Sequence, residues 1–173
     1  RLVVAIADVS AYVSLASPLD NEARRRGTSV YFPGLVFPML PEALSNGICS
    51  LQPEKDRLSL VVDIKISSDG RIQNFTFHQA VIRSRARLTY NEVQRYFDKD
   101  GNSSLKALLE ADQSKSIDHL IGVYKALMIQ RESRGALDFQ GREGAPVLVG
   151  GEVQEFRPVE RSTAHKIIEE SMV

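Results

Sequence analysis

Three aromatic side chains lie near the predicted ends of structural elements, where they could line a cleft. Tyr31 precedes a Pro-Gly pair, Tyr90 follows a threonine that can cap a helix, and Phe139 lies in a short β-prone run. Flat rings stack on any nucleobase, and proteins hold single nucleic-acid strands in this way. Taken one at a time, each ring is more often a core residue. The positions therefore indicate candidates for binding but do not separate a binding surface from a core.

Arginines form a second candidate group. Arg83, Arg85 and Arg87 are spaced by two, so on a β-strand their side chains would share one face. Such a strip can follow a phosphate backbone, or it can be an ordinary solvated face, and the spacing favours neither. Arg24–Arg26 closes a short predicted helix, where positive charge suits the helix dipole, so a local structural role is favoured there.

Carboxylates that could bind metal ions are scattered along the sequence. Phosphodiester hydrolysis by a two-metal mechanism needs clustered Asp or Glu, and no dense Asp cluster is present. Asp8 ends a predicted buried strand, where the favoured role is to cap the next turn through the amides of Ser10 and Ala11. Asp63 is expected on the solvent face of a strand. Neither Asp8 nor Asp63 is therefore favoured as a metal ligand or a catalytic residue.

Other familiar site motifs are also missing from the sequence. It contains no phosphate-binding loop, no nucleophile elbow and no Cys/His zinc spacing. His78, His119 and His165 fall in three different predicted elements, and Cys49 is expected in the core. Neither metal binding by histidine nor nucleophilic catalysis by cysteine is therefore favoured.

Composition sets broad limits on the class of protein. The 173 residues are 43% hydrophobic and 25% charged, with a formal net charge of zero. Arginine supplies 15 of the 22 basic residues, and guanidinium groups suit phosphate and base stacking better than lysine does. A single cysteine excludes an internal disulfide, and no apolar run is long enough for a membrane span. We expect a cytoplasmic protein with no membrane association.

The elements that must position these side chains form an α+β pattern. We expect an antiparallel or mixed twisted sheet, with hairpins and packed helices. The clearest signal is alternation over 58–67 and 71–87 around an Asp-Gly tip, which predicts a hairpin. The other predicted elements are a strand at 2–8, a helix at 18–26, a β-prone run at 28–32, a loop with a helical turn at 38–50, a helix from a capping box at 89–92, one long or two broken helices at 105–134, a strand at 137–140, a hairpin at 147–149 and 153–159, and a last helix after Ser162 or Thr163.

Both ends of the chain look as though they cut through secondary structure. Leu2–Ile6 has the pattern of a buried strand, and His165–Val173 that of an amphipathic helix without a stop signal. We therefore expect residues 1–173 to be an internal part of one larger domain. Exposed apolar edges along 2–7 and 164–172 would then favour self-association.

Ordered sequence blocks resemble the ribonuclease R / ribonuclease II (RNB) family along nearly the whole chain. The blocks include VAIADVS at 4–10, RGTSVYFP at 26–33, PMLPE at 38–42, LSNG at 44–47, ARLTY at 86–90 and AHKIIEE at 164–170. The form of the block at 26–31 is closer to ribonuclease R than to ribonuclease II. The resemblance implies a partial RNB catalytic domain.

The resemblance also implies an activity. Members of the family hydrolyse single-stranded RNA processively from the 3′ end to nucleoside 5′-monophosphates, using two divalent ions such as Mg²⁺. The aspartates that hold the ions would lie upstream of residue 1, so no metal is expected on this chain and the isolated chain should be nearly inactive. The alternatives are a non-catalytic RNA-binding relative of the same fold and, less favoured, a structural segment that binds no RNA.

Four residues acquire roles through the same resemblance. Tyr31 matches the tyrosine that stacks on the 3′-terminal base, and Phe139 matches the aromatic residue at the far end of the base stack. Tyr90 matches a second tyrosine along the RNA path. Glu169 matches a carboxylate near the terminal nucleotides. With Arg83, Arg85 and Arg87, these residues make up the expected RNA-binding set.

Overall fold

The computed structural model describes residues 1–99, 111–136, 144–159 and 161–172, without the side chains of 111–113. In these ranges the expected α+β class is confirmed. The strands are β1 (Leu2–Ala7), β2 (Val30–Phe32), β3 (Leu35–Phe37), β4 (Asp56–Ile66), β5 (Ile72–Arg83), β6 (Gly144–Val149) and β7 (Glu152–Pro158). The helices are α1 (Pro18–Arg26), α2 (Tyr90–Phe97), α3 (Ala111–Ser133) and α4 (Thr163–Ser171), with short helical segments at Val9–Ala11 and Ala43–Ile48.

The main sheet has the order β1-β4-β5 and is antiparallel throughout. Val4 lies opposite Val62, which in turn lies opposite Phe77, so these three side chains share one face of the sheet. That face carries an almost wholly apolar cleft of about 780 Å³. Ser59 and Val61, on the other face, are buried.

The tip of the long hairpin lies close against α3. As the Asp-Gly pair predicts, the strands turn there, and Gly70 has a φ of +82°. The Gly70 amide donates to the Ser67 carbonyl at 3.0 Å. A Cβ atom built on Gly70 would overlap the backbone carbonyl of Ala126 in α3. The glycine is therefore needed both for the turn and for the approach of the helix.

Helix α4 packs against α2 and α3. Ala164 and Ile167 are 3% and 2% exposed, so this part of the predicted apolar edge is wrong: the amphipathic face of α4 is already covered by the neighbouring helices. Ile168 and Met172 remain exposed. β1 lies at the edge of its sheet, as the interpretation of residues 2–7 expects. Self-association itself stays a prediction.

Most local signals at element ends are confirmed. Ser17 caps α1 by accepting from the amide of Asp20, and positive-φ glycines at 150 and 151 turn the β6–β7 hairpin. The β-prone run at 28–32 continues beyond its Pro-Gly pair into a second strand, so that β2 and β3 form a hairpin. Residues 105–110 of the predicted long helix and the predicted strand at 137–140, with Phe139, lie outside the described residues.

Replacing Gly70 with alanine should destabilise the chain by at least about 2 kcal/mol more than replacing Gly34. Both glycines have positive φ, so they share the conformational penalty of a side chain. Only at Gly70 does the new Cβ meet backbone, since nothing lies within 4 Å of a Cβ at Gly34. Urea unfolding of the two variants measures the difference, and equal losses would contradict the packing described here.

Candidate nucleic-acid interface

Tyr31 lies on a small hairpin that projects its side chains into solvent. It is the central residue of β2, lies opposite Val36 of β3, and is 76% exposed. The turn between the strands contains Gly34 at a φ of +75°. A Tyr31 ring sealed in the interior could not meet a nucleobase, whereas the ring described here is open to one.

The other face of this hairpin is apolar as well. Strand alternation places Val30, Phe32, Leu35 and Phe37 together, opposite the face that carries Tyr31. Phe32 and Phe37 meet edge to face with ring centroids 6.0 Å apart, and all four residues are exposed. Contiguous exposed apolar surface of this kind marks an interaction site more often than a free surface.

The hairpin is tethered to the end of α1. The Arg26 guanidinium donates to the Pro38 carbonyl at 2.9 Å. The Met39 amide donates to the Ser29 hydroxyl at 2.9 Å and so closes the base of the hairpin itself. Arg26 is itself held by Glu22 at 2.8 Å. Hydrogen bonds from Arg25 and then Arg26 lower the pKa of Glu22 to about 2. The local structural role expected for Arg24–Arg26 thus extends to anchoring the segment that carries Tyr31.

The expected strip of three arginines on one strand face is wrong. β5 ends at Arg83, because the next residue, Ser84, leaves the ladder to form a parallel bridge with Pro53. Arg85 and Arg87 therefore lie beyond the strand. Arg83 pairs with Asp56 at 2.7 Å, and Arg85 lies 3.7 Å from Glu54. Asp56 and Glu54 thus offset the positive charges of Arg83 and Arg85.

Asp8 has the capping role that its position predicts. It is 4% exposed, and its Oδ1 accepts from the Ala11 amide at 3.2 Å and from the Ser10 hydroxyl at 2.5 Å. The second donor is thus the hydroxyl of Ser10 and not the predicted amide. Gln79 donates to the other oxygen at 3.4 Å. The carboxylate is fully engaged in local structure.

The other polar candidates also have structural partners. The Arg1 guanidinium hydrogen-bonds Asp63 and lowers the pKa of its carboxyl. His78 lies on the exposed surface of β5, 3.2 Å from the Thr76 hydroxyl. Cys49 is buried, as predicted, and burial raises the pKa of its thiol. Asp63 is thus held in a surface ion pair, and the Cys49 thiol is shielded from solvent.

Tyr90 is the first residue of α2 and is held at its backbone by the predicted capping box. The Thr89 amide donates to Glu92 at 3.0 Å, and the Glu92 amide donates back to the Thr89 hydroxyl at 3.3 Å. The Tyr90 side chain is 45% exposed. Its ring stacks on His165 of α4, with centroids 4.0 Å apart and planes 20° apart. It also borders an apolar cleft of about 280 Å³.

Glu169 lies on the same helix as His165, one turn further on. Residues four apart in a helix share a face, so Tyr90 and Glu169 border the same side of α4. The Glu169 carboxylate accepts from Arg161 at 3.2 Å. Glu170 points elsewhere and pairs with Arg131 of α3. The structure thus groups two of the predicted residues with His165, a partner that sequence reasoning missed because the contact joins distant parts of the chain.

Comparison with known proteins decides the family. The model of the RNB domain matches residues 1–173. The chain belongs to the RNB domain family. It is 46% identical over 175 residues to ribonuclease R of Escherichia coli strain K12, an alignment that covers 100% of this chain and 21% of that protein. This RNB chain therefore spans about a fifth of the length of the curated relatives it matches.

Solved structures confirm the RNB fold. Mycoplasma genitalium RNase R, in complex with ribose-methylated single-stranded RNA, superposes with a TM-score of 0.89 at 32% identity, covering 99% of this chain and 26% of that one. Yeast Ssd1, described as a pseudonuclease, shares the fold at 19% identity, with a TM-score of 0.58 over 76% of this chain and 15% of its own.

Two further observations concern the described part of this RNB chain. No three side chains of His, Cys, Asp or Glu come together there in a group that could hold a metal ion. No helix in the same ranges combines the length and apolar character needed to cross a bilayer.

Replacing Arg26 with alanine should speed amide exchange of residues 29–39 severalfold, because it removes the link between α1 and the hairpin. Acid should lower the protection of the same amides, expressed relative to the intrinsic exchange rate at each pH. The folded-state pKa of Glu22 is lowered to about 2, so its contribution is complete above its ordinary pKa and is lost as pH falls towards 2. Hydrogen exchange followed by mass spectrometry measures both effects.

Arg24→Ala is the matched control, because Arg24 pairs with Asp20 of its own helix at 3.0 Å. Exchange in 29–39 that responds equally to the two arginine variants would show that the Arg26 tether does not hold the hairpin.

Proposed function

We propose that the protein carrying this chain is a 3′-to-5′ exoribonuclease that hydrolyses single-stranded RNA processively to nucleoside 5′-monophosphates. In this proposal the chain supplies part of the RNA path. The observation that carries it is the exposed ring of Tyr31, which lies in a sequence block of the matched RNB family. An exposed aromatic ring can stack on a terminal base whatever its identity, which suits an enzyme that must accept any sequence.

Tyr90 and Glu169 supply a second contact region in this proposal. The Tyr90 ring offers another stacking surface, since part of it is open to solvent. A carboxylate beside a phosphodiester strand is favourable when it accepts hydrogen bonds from sugar hydroxyls or base amino groups. Arg161 lies against Glu169 and offsets the negative charge that would otherwise repel phosphates. Phe139 remains a proposed member of the path on sequence grounds.

Arg83, Arg85 and Arg87 have a lesser part. Arg83 and Arg85 are exposed and paired with carboxylates, and such surface pairs are weak. A phosphate could therefore compete for either guanidinium. We propose that these arginines attract the RNA strand electrostatically and do not bind particular phosphates.

The chemical step belongs to parts of the protein outside this chain. When bound, two Mg²⁺ ions would activate the attacking water and stabilise the leaving oxygen. The described residues do not fit as their ligands, since no three metal-binding side chains meet there. We therefore assign stacking, hydrogen bonding and charge compensation to this chain, and no step of bond cleavage.

The second candidate is a non-catalytic RNA-binding relative of the same fold. The exposed rings of Tyr31 and Tyr90 suit such a binding protein as well as an enzyme. The sequence just upstream of residue 1 separates the two candidates. Intact aspartates there, ending in Asp-Asp-Ala, support the enzyme, and substituted aspartates support the binding protein.

In the full-length protein, Tyr31→Ala should weaken binding of a short oligoadenylate by about 1–3 kcal/mol, as loss of one base-stacking ring does. Tyr31→Phe should bind nearly as tightly as the parent, because the ring remains. Fluorescence anisotropy without divalent ions, which prevents turnover, measures the dissociation constants.

Phe32→Ala is the matched control, as it removes an exposed ring from the opposite face of the same hairpin. If Phe32→Ala lost as much affinity as Tyr31→Ala, the loss would reflect damage to the whole hairpin. The stacking role of Tyr31 would then be wrong.

The 173-residue chain alone, incubated with Mg²⁺ and single-stranded RNA, should release almost no nucleoside monophosphate. The physical reason is that two-metal hydrolysis fails without the carboxylates that hold the ions. Chromatography of the products measures the release, with the full-length protein as the positive control. Robust release by the chain would show that the metal ligands lie within it.

A further inference from the structure

We propose that His165 is a positioning residue, which sets the orientation of the Tyr90 ring and so presents the opposite face of that ring to a nucleobase. The inference rests on the proposed function, because it requires Tyr90 to contact RNA. His165 itself would touch neither RNA nor the reacting atoms.

The geometry of the pair supports this role. The two rings are nearly parallel, with centroids 4.0 Å apart, so His165 covers one face of Tyr90. Tyr90 is nevertheless 45% exposed, whereas His165 is half-buried on α4. The capping box fixes the backbone of Tyr90 at the start of α2 but leaves its side-chain torsions free. A ring at the end of a helix needs a neighbour to hold one orientation, and His165 is such a neighbour.

The imidazole of His165 is in turn held at its edge by Ser162. The Ser162 hydroxyl lies 2.7 Å from Nδ1 of His165. Serine at a helix N-cap normally accepts a hydrogen bond from an amide of the first turn, but Ser162 makes no such bond. The Ser162 hydroxyl hydrogen-bonds the His165 ring and not an amide of the helix.

The cap that Ser162 does not provide comes from α2. The Ala164 amide donates to the side-chain oxygen of Gln94 at 3.1 Å. Gln94 lies one turn after Tyr90, so α2 contributes both the cap of α4 and the ring that stacks on it. Because Gln94 caps the helix, the Ser162 hydroxyl can hydrogen-bond the His165 ring without leaving the first turn uncapped.

Removing the ring stack should leave the two helices docked. Ala164 and Ile167 remain buried between them, and the bond from the Ala164 amide to Gln94 does not involve His165. Substitution of His165 therefore tests the orientation of Tyr90 more than the folding of α4. Gln94→Ala makes the opposite change, since it weakens the helix contact and spares the ring stack.

The test uses the full-length protein and a fluorescein-labelled oligoadenylate. Tyr90→Ala should raise the dissociation constant about tenfold, within the range of one base-stacking contact. His165→Ala should raise it less, by about threefold to fivefold, because the Tyr90 ring is still present. The double variant should bind no more weakly than Tyr90→Ala, because the histidine acts through the tyrosine. His165→Phe, which keeps a flat ring against Tyr90, should stay within about twofold of the parent.

Two further variants separate positioning from stability. Ser162→Ala should weaken RNA binding in the same direction as His165→Ala, with little change in melting temperature, because Gln94 supplies the cap. Gln94→Ala should lower the melting temperature. It should leave the dissociation constant unchanged well below that temperature, where the buried Ala164 and Ile167 still hold the helices together. These opposite patterns distinguish an oriented ring from a merely weakened helix.

The outcomes distinguish failure of the proposed function from failure of the positioning role. Unchanged binding by Tyr90→Ala would remove Tyr90 from the RNA path and with it that part of the proposed function. Weaker binding by Tyr90→Ala together with unchanged binding by His165→Ala, or with additive losses in the double variant, would overturn the positioning role alone. Rescue by His165→Phe supports it.

Discussion

The docking of α4 onto α2 is the contact on which the candidate interface depends. Ala164 and Ile167 exclude water almost completely, and small and branched side chains at this seam let the helices approach closely. The approach places residues near 165 beside residues near 90. Without it, Tyr90 of α2 would lie apart from His165 and Glu169 of α4, and no shared face would exist for a strand to follow.

A different principle holds the Tyr31 hairpin. Its strands are short and all six of their residues are exposed, so little apolar burial in this chain stabilises it. The Arg26 guanidinium attaches it to α1, and the bond from the Met39 amide to Ser29 closes its base. A hairpin attached in this way keeps both faces available, one carrying Tyr31 and the other a cluster of apolar side chains. Its conformation is set at the base and its surface is left for recognition.

Local signals in the sequence predicted the elements well, because caps and turns depend on neighbouring residues. Thr89 with Glu92, and the glycine at position 70, are examples. The arginine strip failed because a spacing of two shows a common face only while the strand continues, and nothing in the spacing shows that β5 ends at Arg83. The stack of His165 on Tyr90 could not be seen, since it joins residues 75 apart through tertiary packing. The spacing of residues says which groups one element can align, but not which elements will meet.

The first turn of α4 is capped by a side chain of α2, and this has a consequence for how the chain folds. An isolated helix of nine residues is short for stability in water, and here its own N-cap serine does not satisfy the first turn. The acceptor comes from a residue 70 positions away. Helix formation in α4 is thereby linked to its contact with α2, so the two should gain and lose structure in one cooperative step.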